Sequence, residues 1–76
     1  MTYTEVINIV QDTLPKSKIE TGTITRVFYN DYVIVIDSTV LFIRKSSTYN
    51  IVLALAAIYL DNIDKELLTA ILKTLV

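Results

Sequence analysis

The densest group of acidic residues in the chain is Asp61, Asp64 and Glu66. Carboxylate oxygens at this spacing could hold Mg²⁺ and activate water for hydrolysis. The same residues stand where a stretch with helical periodicity begins, and carboxylates at a helix start accept hydrogen bonds from free backbone N–H groups. We therefore predict that these residues cap a helix, and that the protein holds no metal and no other cofactor.

Two short stretches place a hydroxyl beside an amine, as a Ser/Lys nucleophile requires. They are Lys16-Ser17-Lys18 and Lys45-Ser46-Ser47. Adjacent side chains on a strand point to opposite sides, and neither stretch lies near a Gly-rich elbow. The chain has 0 Cys, 0 His and 1 Gly, which excludes a thiol or imidazole catalyst and a glycine loop for phosphate. We predict that the protein is not an enzyme.

Aromatic and cationic residues are expected to share one face of a sheet, where Phe28 and Phe42 accompany Arg26 and Arg44. Several nucleic-acid-binding modules stack single-stranded bases and hold their phosphates on such a face. Two other interpretations are open. The Phe side chains are core beneath a helix while the arginines extend to the sheet edge, or the face pairs with its copy in a second subunit.

The N-terminal segment has the signals of a helix. Thr2-x-x-Glu5 has the spacing of a capping box, and apolar residues follow at three- and four-residue steps. The pattern predicts a helix from Thr4 to Leu14, which ends there because Pro15 disfavours helical geometry at the preceding residue. Residues 16–21 are predicted to be a polar connector.

The central segment predicts a three-stranded antiparallel meander. Its first hairpin turn is placed at Asn30-Asp31, because these side chains tolerate the positive φ that a two-residue turn requires. The three strands are Thr23 to Tyr29, Tyr32 to Ile36 and Val40 to Arg44. One face should show Val27, Ile34, Ile36, Leu41 and Ile43. The other should show Ile24, Arg26, Phe28, Val33, Val35, Val40, Phe42 and Arg44.

The C-terminal part predicts two helices in a tight αα-hairpin. The first runs from Ser47 or Thr48 to Leu60 and is apolar on all sides, which indicates that protein surrounds it. The second is capped by Asp61 or Asn62 and has a wide apolar stripe. The predicted fold is therefore α+β, a single domain over residues 1–76, in the order α-β-β-β-α-α with the meander packed against helices.

Composition favours association with a partner. A chain of 76 residues buries only about 60% of its extended surface, yet 53% of this sequence is hydrophobic. Disulfides and a Cys/His zinc site are excluded, so oligomerisation is the common stabilising device that is left.

The net charge of −1 gives no global field that favours nucleic acid or a membrane. No secretory signal is visible, and the uncharged span from Ser46 to Leu60 is too short to cross a membrane, so we expect a cytoplasmic protein.

No family motif is present. In composition the chain resembles the short proteins of viruses and mobile elements, especially those of archaea, which are small, rich in Ile and Tyr, and free of Cys and His. This resemblance covers no motif and implies no residue roles. It implies a compact accessory protein that works by binding a host or viral macromolecule.

We therefore predict a small, non-catalytic, homo-oligomeric interaction protein, such as an accessory, adaptor or inhibitor protein, that forms a dimer and binds a protein partner. Exposed strand positions and large side chains select the interface residues, which are Phe28, Tyr29, Tyr32, Val33, Val35 and Phe42. In a dimer, Arg26 or Arg44 would meet Asp37 or Glu20 at the rim.

The alternative is a weak single-stranded nucleic-acid-binding protein. Its contacts would combine the aromatic and basic sheet face with nearby lysines. The residues selected for this alternative are Arg26, Phe28, Phe42, Arg44, Lys45, Lys16 and Lys18.

Overall fold

A computed structural model describes residues 1–45 and 56–76. These residues form two α-helices and one antiparallel sheet of five strands, so the predicted α+β class is confirmed. The helices are α1 (Tyr3–Thr13) and α2 (Lys65–Lys73), and a 3-10 turn spans Leu60–Asn62. The strands are β1 (Lys18–Glu20), β2 (Thr25–Tyr29), β3 (Tyr32–Ile36), β4 (Val40–Lys45) and β5 (Ala56–Tyr59), and they lie in the sheet in chain order.

Helix α1 begins at the capping box that the sequence predicts. The Thr2 hydroxyl accepts a hydrogen bond from the Glu5 backbone N–H, and Glu5 Oε1 accepts from the Thr2 backbone N–H, each at 3.2 Å. The hydrogen bonds from Thr2 hold the pKa of Glu5 below its ordinary value. The helix ends at Thr13, two residues before Pro15.

The three central strands follow the predicted pattern. Tyr29 pairs with Tyr32 across the turn at Asn30-Asp31, and Asn30 has a φ of 50°. Asparagine tolerates this left-handed conformation better than most residues. In the next turn Asp37 Oδ1 accepts hydrogen bonds from the backbone N–H groups of Thr39 and Val40, both at 2.7 Å.

The sheet has five strands, so the prediction of a three-stranded meander was wrong in this detail. The predicted connector at residues 16–21 contains β1, in which Ile19 pairs with Val27 of β2. Ile19 points toward the helices, while Lys18 and Glu20 point away from them. A single inward apolar residue and free backbone groups along β2 are sufficient to position this short strand.

Part of the predicted second helix is also wrong. Its residues 46–55 lie outside the described residues, but Ala56–Tyr59 forms strand β5, which pairs Ile58 with Leu41 of β4. Hydrogen bonding along β4 therefore outweighs the helix propensity of the two alanines in β5, which is a weak preference. Asp61 and Asn62 lie in the 3-10 turn, so neither caps α2 and the predicted αα-hairpin does not form over these residues.

One face of the sheet, the inner face, packs against both helices. Val6 and Val10 of α1 and Leu68 and Leu72 of α2 are buried in the same cluster. Each such side chain contributes about 1.5–3 kcal/mol when fully buried. The sheet supplies the five aliphatic residues predicted for this face, namely Val27, Ile34, Ile36, Leu41 and Ile43.

The other face of the sheet, the outer face, points away from α1 and α2 because successive side chains on a strand alternate. Strand register arranges its side chains in rows across the sheet. One row is Lys18, Phe28, Val33 and Arg44. The next row is Glu20, Arg26, Val35, Phe42 and Ala57. Neither helix in the described ranges is long and apolar enough to cross a lipid bilayer.

Candidate interaction surface

The outer face holds four of the six residues selected for association. Phe28 pairs with Val33, and Val35 pairs with Phe42, so these side chains form a continuous apolar area over β2, β3 and β4. The two Phe side chains are partly exposed. The prediction of exposed positions was wrong for Val33 and Val35, which are 1% and 7% exposed. Val33 and Val35 lie on the central strand between larger side chains. They form the buried base of this apolar area, here called the apolar floor, and the rings of Phe28 and Phe42 form its accessible surface.

Tyr29 and Tyr32 lie on the inner face, opposite to the two Phe residues. They are partly buried and pack against the main core cluster. Each stands next to a two-residue turn, and the side-chain period of two gives both the same direction as Val27 and Ile34. The structure therefore does not bring the six selected residues together on one surface.

A cavity of about 380 Å³ opens on the outer face. Apolar side chains form part of its wall, with Val35 and Phe42 at adjacent positions of the same row. Charged groups from three segments also border it. The lining residues are Ile24, Arg26, Val35, Asp37, Phe42 and Arg44.

The two arginines at this cavity have different surroundings. Arg44 is 8% exposed, and its Nη1 atom donates a hydrogen bond to the Lys45 carbonyl oxygen at 3.3 Å. Arg26 is exposed and makes no hydrogen bond or ion pair with another described residue. The guanidinium of Arg26 is therefore available to a group outside the chain.

Asp37 supplies the negative charge at the cavity. Backbone N–H groups of Thr39 and Val40, in that order of effect, hold the pKa of Asp37 below its ordinary value. The carboxylate is therefore ionised at neutral pH. Every hydrogen bond of this side chain within the described residues goes to Oδ1, and none goes to Oδ2.

The residues selected for nucleic-acid binding are only partly brought together. Lys18, Arg26 and Phe28 lie on the outer face with Phe42 and Arg44, and Lys18 stands directly opposite Phe28. Lys16 lies in the turn before β1. Alternation places Lys45 on the side of the helices, at the exposed end of β4.

Two of the residues that suggested metal or nucleophile chemistry, Asp64 and Ser17, have structural roles, while Ser46 and Ser47 lie outside the described residues. Asp64 Oδ1 accepts a hydrogen bond from the Leu67 backbone N–H at 2.7 Å, so the predicted helix cap is confirmed for Asp64, while Glu66 lies in the first turn of α2. Residues 1–45 and 56–76 contain no group of three Asp, Glu, His or Cys side chains placed to bind a metal. The Ser17 hydroxyl donates to the Leu14 carbonyl oxygen at 2.6 Å.

Two further concave regions lie away from the outer face. A groove of about 520 Å³ runs along the exposed side of α2, where Thr69 and Ala70 lie between Lys65 and Lys73. A hollow of about 290 Å³ lies between the end of α1 and β1, beside Leu14 and Ile19. The α2 groove also carries charges of both signs, but every lining residue belongs to one helix, whereas the outer-face cavity joins three segments beside the apolar side chains of Val35 and Phe42.

Comparisons with known proteins add no relative, since the chain matches no protein-family model, no curated protein and no solved structure.

The sequence predicted Asp37 in the turn between the second and third strands and at the rim of a possible interface, and the structure adds its hydrogen bonds in that turn and its position in the cavity wall. The signal was present in Asp37-Ser38-Thr39, because Asp at the start of a turn commonly bonds to backbone N–H groups two and three residues later. Side chains two residues apart on an extended chain point to the same side, so the Asp37 carboxylate lies on the outer face with Val33 and Val35.

Proposed function

We propose that this protein is a non-catalytic, homo-oligomeric interaction protein whose outer sheet face is its contact surface. The observation that supports the proposal is the outer face itself, where Phe28 and Phe42 border an apolar floor and Arg26 and Asp37 carry unpaired charge. Aromatic residues and arginine are the side chains that most often anchor protein interfaces.

At the β1 edge of the sheet, strand pairing with another chain is disfavoured relative to contact through the face. β1 is only three residues long, and both of its exposed residues, Lys18 and Glu20, are charged. Short, charged edge strands disfavour pairing with a strand from another chain. The face has no comparable charge at its centre.

The size of the outer face indicates a reversible dimer. The five strands, about 4.8 Å apart, span about 20 Å, and the central strands of five or six residues are about 17–20 Å long, whereas β1 and β5 have only three and four residues. This flat area is smaller than the roughly 800 Å² of accessible surface that a standard protein interface uses on each partner, so a dimer through this face is weak. We expect a dissociation constant on the order of micromolar, which corresponds to about −8 kcal/mol.

A dimer formed through the outer faces would carry both helices of each copy on its outside. The exposed side of α2, including Leu67 at 40% exposure and the groove beside Thr69, would then be presented twice. In this arrangement the protein acts as an accessory, adaptor or inhibitor protein that occludes or bridges a larger protein.

Sedimentation equilibrium over a range of micromolar concentrations tests the proposal. We expect a monomer–dimer equilibrium that Phe42→Ala shifts at least about tenfold toward monomer, since buried aromatic anchors dominate interfaces. Leu67→Ala is the matched control, because it removes a partly exposed apolar side chain from α2. A wild-type chain that stays monomeric throughout would contradict the proposal.

The second candidate function is weak binding of single-stranded nucleic acid. The observation that favours it is the position of Lys18 directly opposite Phe28, with Arg26 in the adjacent row. Binding through phosphates weakens steeply as salt rises. Fluorescence anisotropy with a labelled oligonucleotide supports this candidate only if affinity is measurable at low salt and is lost with added salt and with Arg26→Gln.

A further inference from the structure

We infer that the outer-face cavity recognises a second copy of this chain through two reciprocal ion pairs, each between Arg26 of one copy and Asp37 of the other. The inference rests on the proposed homo-oligomeric function and names the groups that set the register of the dimer. It starts from Arg26 and Asp37, two of the three charged residues that border the cavity, which are not paired with each other within the chain.

The sheet register fixes where the two charges stand. Arg26 on β2 is directly opposite Val35 on β3, and Asp37 follows two residues later, directly after the end of β3, where it lines the same cavity. Such diagonal neighbours on adjacent strands have Cα atoms about 7–8 Å apart. The cation and the anion therefore lie side by side at the cavity border, with the apolar side chains of Ile24 and Phe42 beside them.

This arrangement is self-complementary under two-fold symmetry. An axis that lies between the two sheets and bisects the line from Arg26 to Asp37 places each guanidinium over the carboxylate of the other copy. In an isologous interface a contact made once is made twice, so one symmetry operation forms both ion pairs. A register that places Arg26 over Arg26 would bring like charges together in a partly dry site, which is unfavourable.

The charges at this cavity also bear on other occupants. The second cation, Arg44, is 8% exposed and is bonded within the chain, so Arg26 and Asp37 are the charged groups that face an external ligand. A phosphate or a carboxylate ligand would be attracted by Arg26 but repelled by Asp37, and a cationic segment would be attracted by Asp37 but repelled by Arg26. The surface that fits must offer a carboxylate and a guanidinium at reciprocal positions, next to apolar side chains. Another copy of the outer face meets this requirement.

Charge exchange between two variants tests the inference. Arg26→Glu alone places two pairs of carboxylates in contact, and Asp37→Lys alone places two pairs of cations in contact. We expect each variant to dimerise at least about tenfold more weakly than the wild type. An equimolar mixture of the two variants restores both ion pairs in a heterodimer, so its affinity should return close to that of the wild type. Sedimentation equilibrium measures all three samples.

A second experiment avoids changing the turn that Asp37 stabilises. Arg26→Gln removes the positive charge and keeps a polar side chain, and Asp37→Asn keeps the side-chain size and an oxygen that accepts from the backbone N–H groups of Thr39 and Val40. If the two charges pair across the dimer, the double variant should lose little more affinity than either single variant. Losses that multiply fully in the double variant would overturn the inference.

The outcomes separate the inference from the proposed function. If the wild-type chain dimerises through Phe42 but the mixed variants show no recovery, the ion pairing is wrong and the dimer stands. If the wild-type chain is monomeric at every concentration, both fail. If Arg26→Glu leaves self-association unchanged and abolishes oligonucleotide binding, the cavity recognises nucleic acid and the inference is overturned.

Discussion

The hydroxyl groups of Tyr3 and Thr25 are hydrogen-bonded to each other where α1 crosses the inner face of the sheet. Thr25 is 1% exposed, and within the described residues no buried side-chain nitrogen or oxygen lacks a partner. A buried hydroxyl without a hydrogen-bond partner costs free energy. The hydrogen bond to Tyr3 therefore allows Thr25 to face the core. It joins the first turn of α1 to the start of β2.

Tyr3→Phe should lower the free energy of unfolding by about 1–3 kcal/mol, because it leaves the buried Thr25 hydroxyl unsatisfied. The double variant Tyr3→Phe with Thr25→Val removes both hydroxyls and should recover part of this loss. Equilibrium unfolding in urea measures both. A Tyr3→Phe variant as stable as the wild type would show that the hydroxyl of Thr25 finds another partner.

The elements that the sequence predicted well are those with strong local signals. The capping box at Thr2 and the proline at position 15 define α1 to within one residue at each end. The strand Tyr32–Ile36 was predicted with its observed bounds, because a continuous run of aromatic and β-branched residues begins directly after an Asn-Asp turn. The inward and outward faces of the three central strands follow from the alternation of side-chain direction along a strand.

The two outer strands could not be predicted in this way, because their conformation depends on pairing with a neighbour. β1 contains one apolar residue, Ile19, and has no periodic pattern of its own. β5 consists of Ala56–Tyr59, whose residues continue an apolar run that also suits a helix. In both cases backbone hydrogen bonding to an adjacent strand decides the structure.

The candidate site was predicted only in part for a similar reason. The shared face of Arg26, Phe28 and Phe42 follows from register alone. The burial of Val33 depends on the side chains of neighbouring strands, which a single strand pattern does not show. Tyr29 and Tyr32 were selected for their large side chains. The alternation of side chains along their strands places both of them on the inner face.

The Asp64 carboxylate is expected to stabilise α2 as its N-cap. Asp64→Ala removes the acceptor for the Leu67 N–H and should lower the free energy of unfolding by about 1 kcal/mol. Asp61→Ala is a matched control, since Asp61 is exposed in the 3-10 turn, and it should change stability by less than about 0.5 kcal/mol. Urea unfolding followed by circular dichroism compares them, and equal losses would contradict the capping role.

Asp37 should make stability depend on pH in the acidic range. Its folded-state pKa lies below the ordinary value of 3.8, so its stabilising contribution is fully present above that value. The contribution is lost as the pH falls through 3.8 toward the lower folded-state pKa. Asp37→Asn keeps an acceptor for the turn but does not titrate, so its stability should fall less on acidification.

Unfolding in urea at neutral pH and at about pH 3 measures this difference, at a protein concentration low enough to keep the chain monomeric. Glu5 has a pKa lowered in the same direction by its hydrogen bonds with Thr2, so Glu5→Gln serves as a parallel variant. If Asp37→Asn and the wild type lose the same stability on acidification, the turn does not depend on the ionised carboxylate.

The charges of Lys18 and Glu20 should protect the edge of the sheet. Replacing both with valine converts β1 into Val-Ile-Val, a short apolar edge strand of the kind that pairs with other chains. We expect the variant to aggregate faster than the wild type, as measured by light scattering and thioflavin fluorescence. The variant Asp12→Val with Lys16→Val removes the same two charges and adds the same two side chains outside the sheet. If both variants aggregate equally fast, general hydrophobicity is the cause, and the charges at the edge of β1 have no specific protective role.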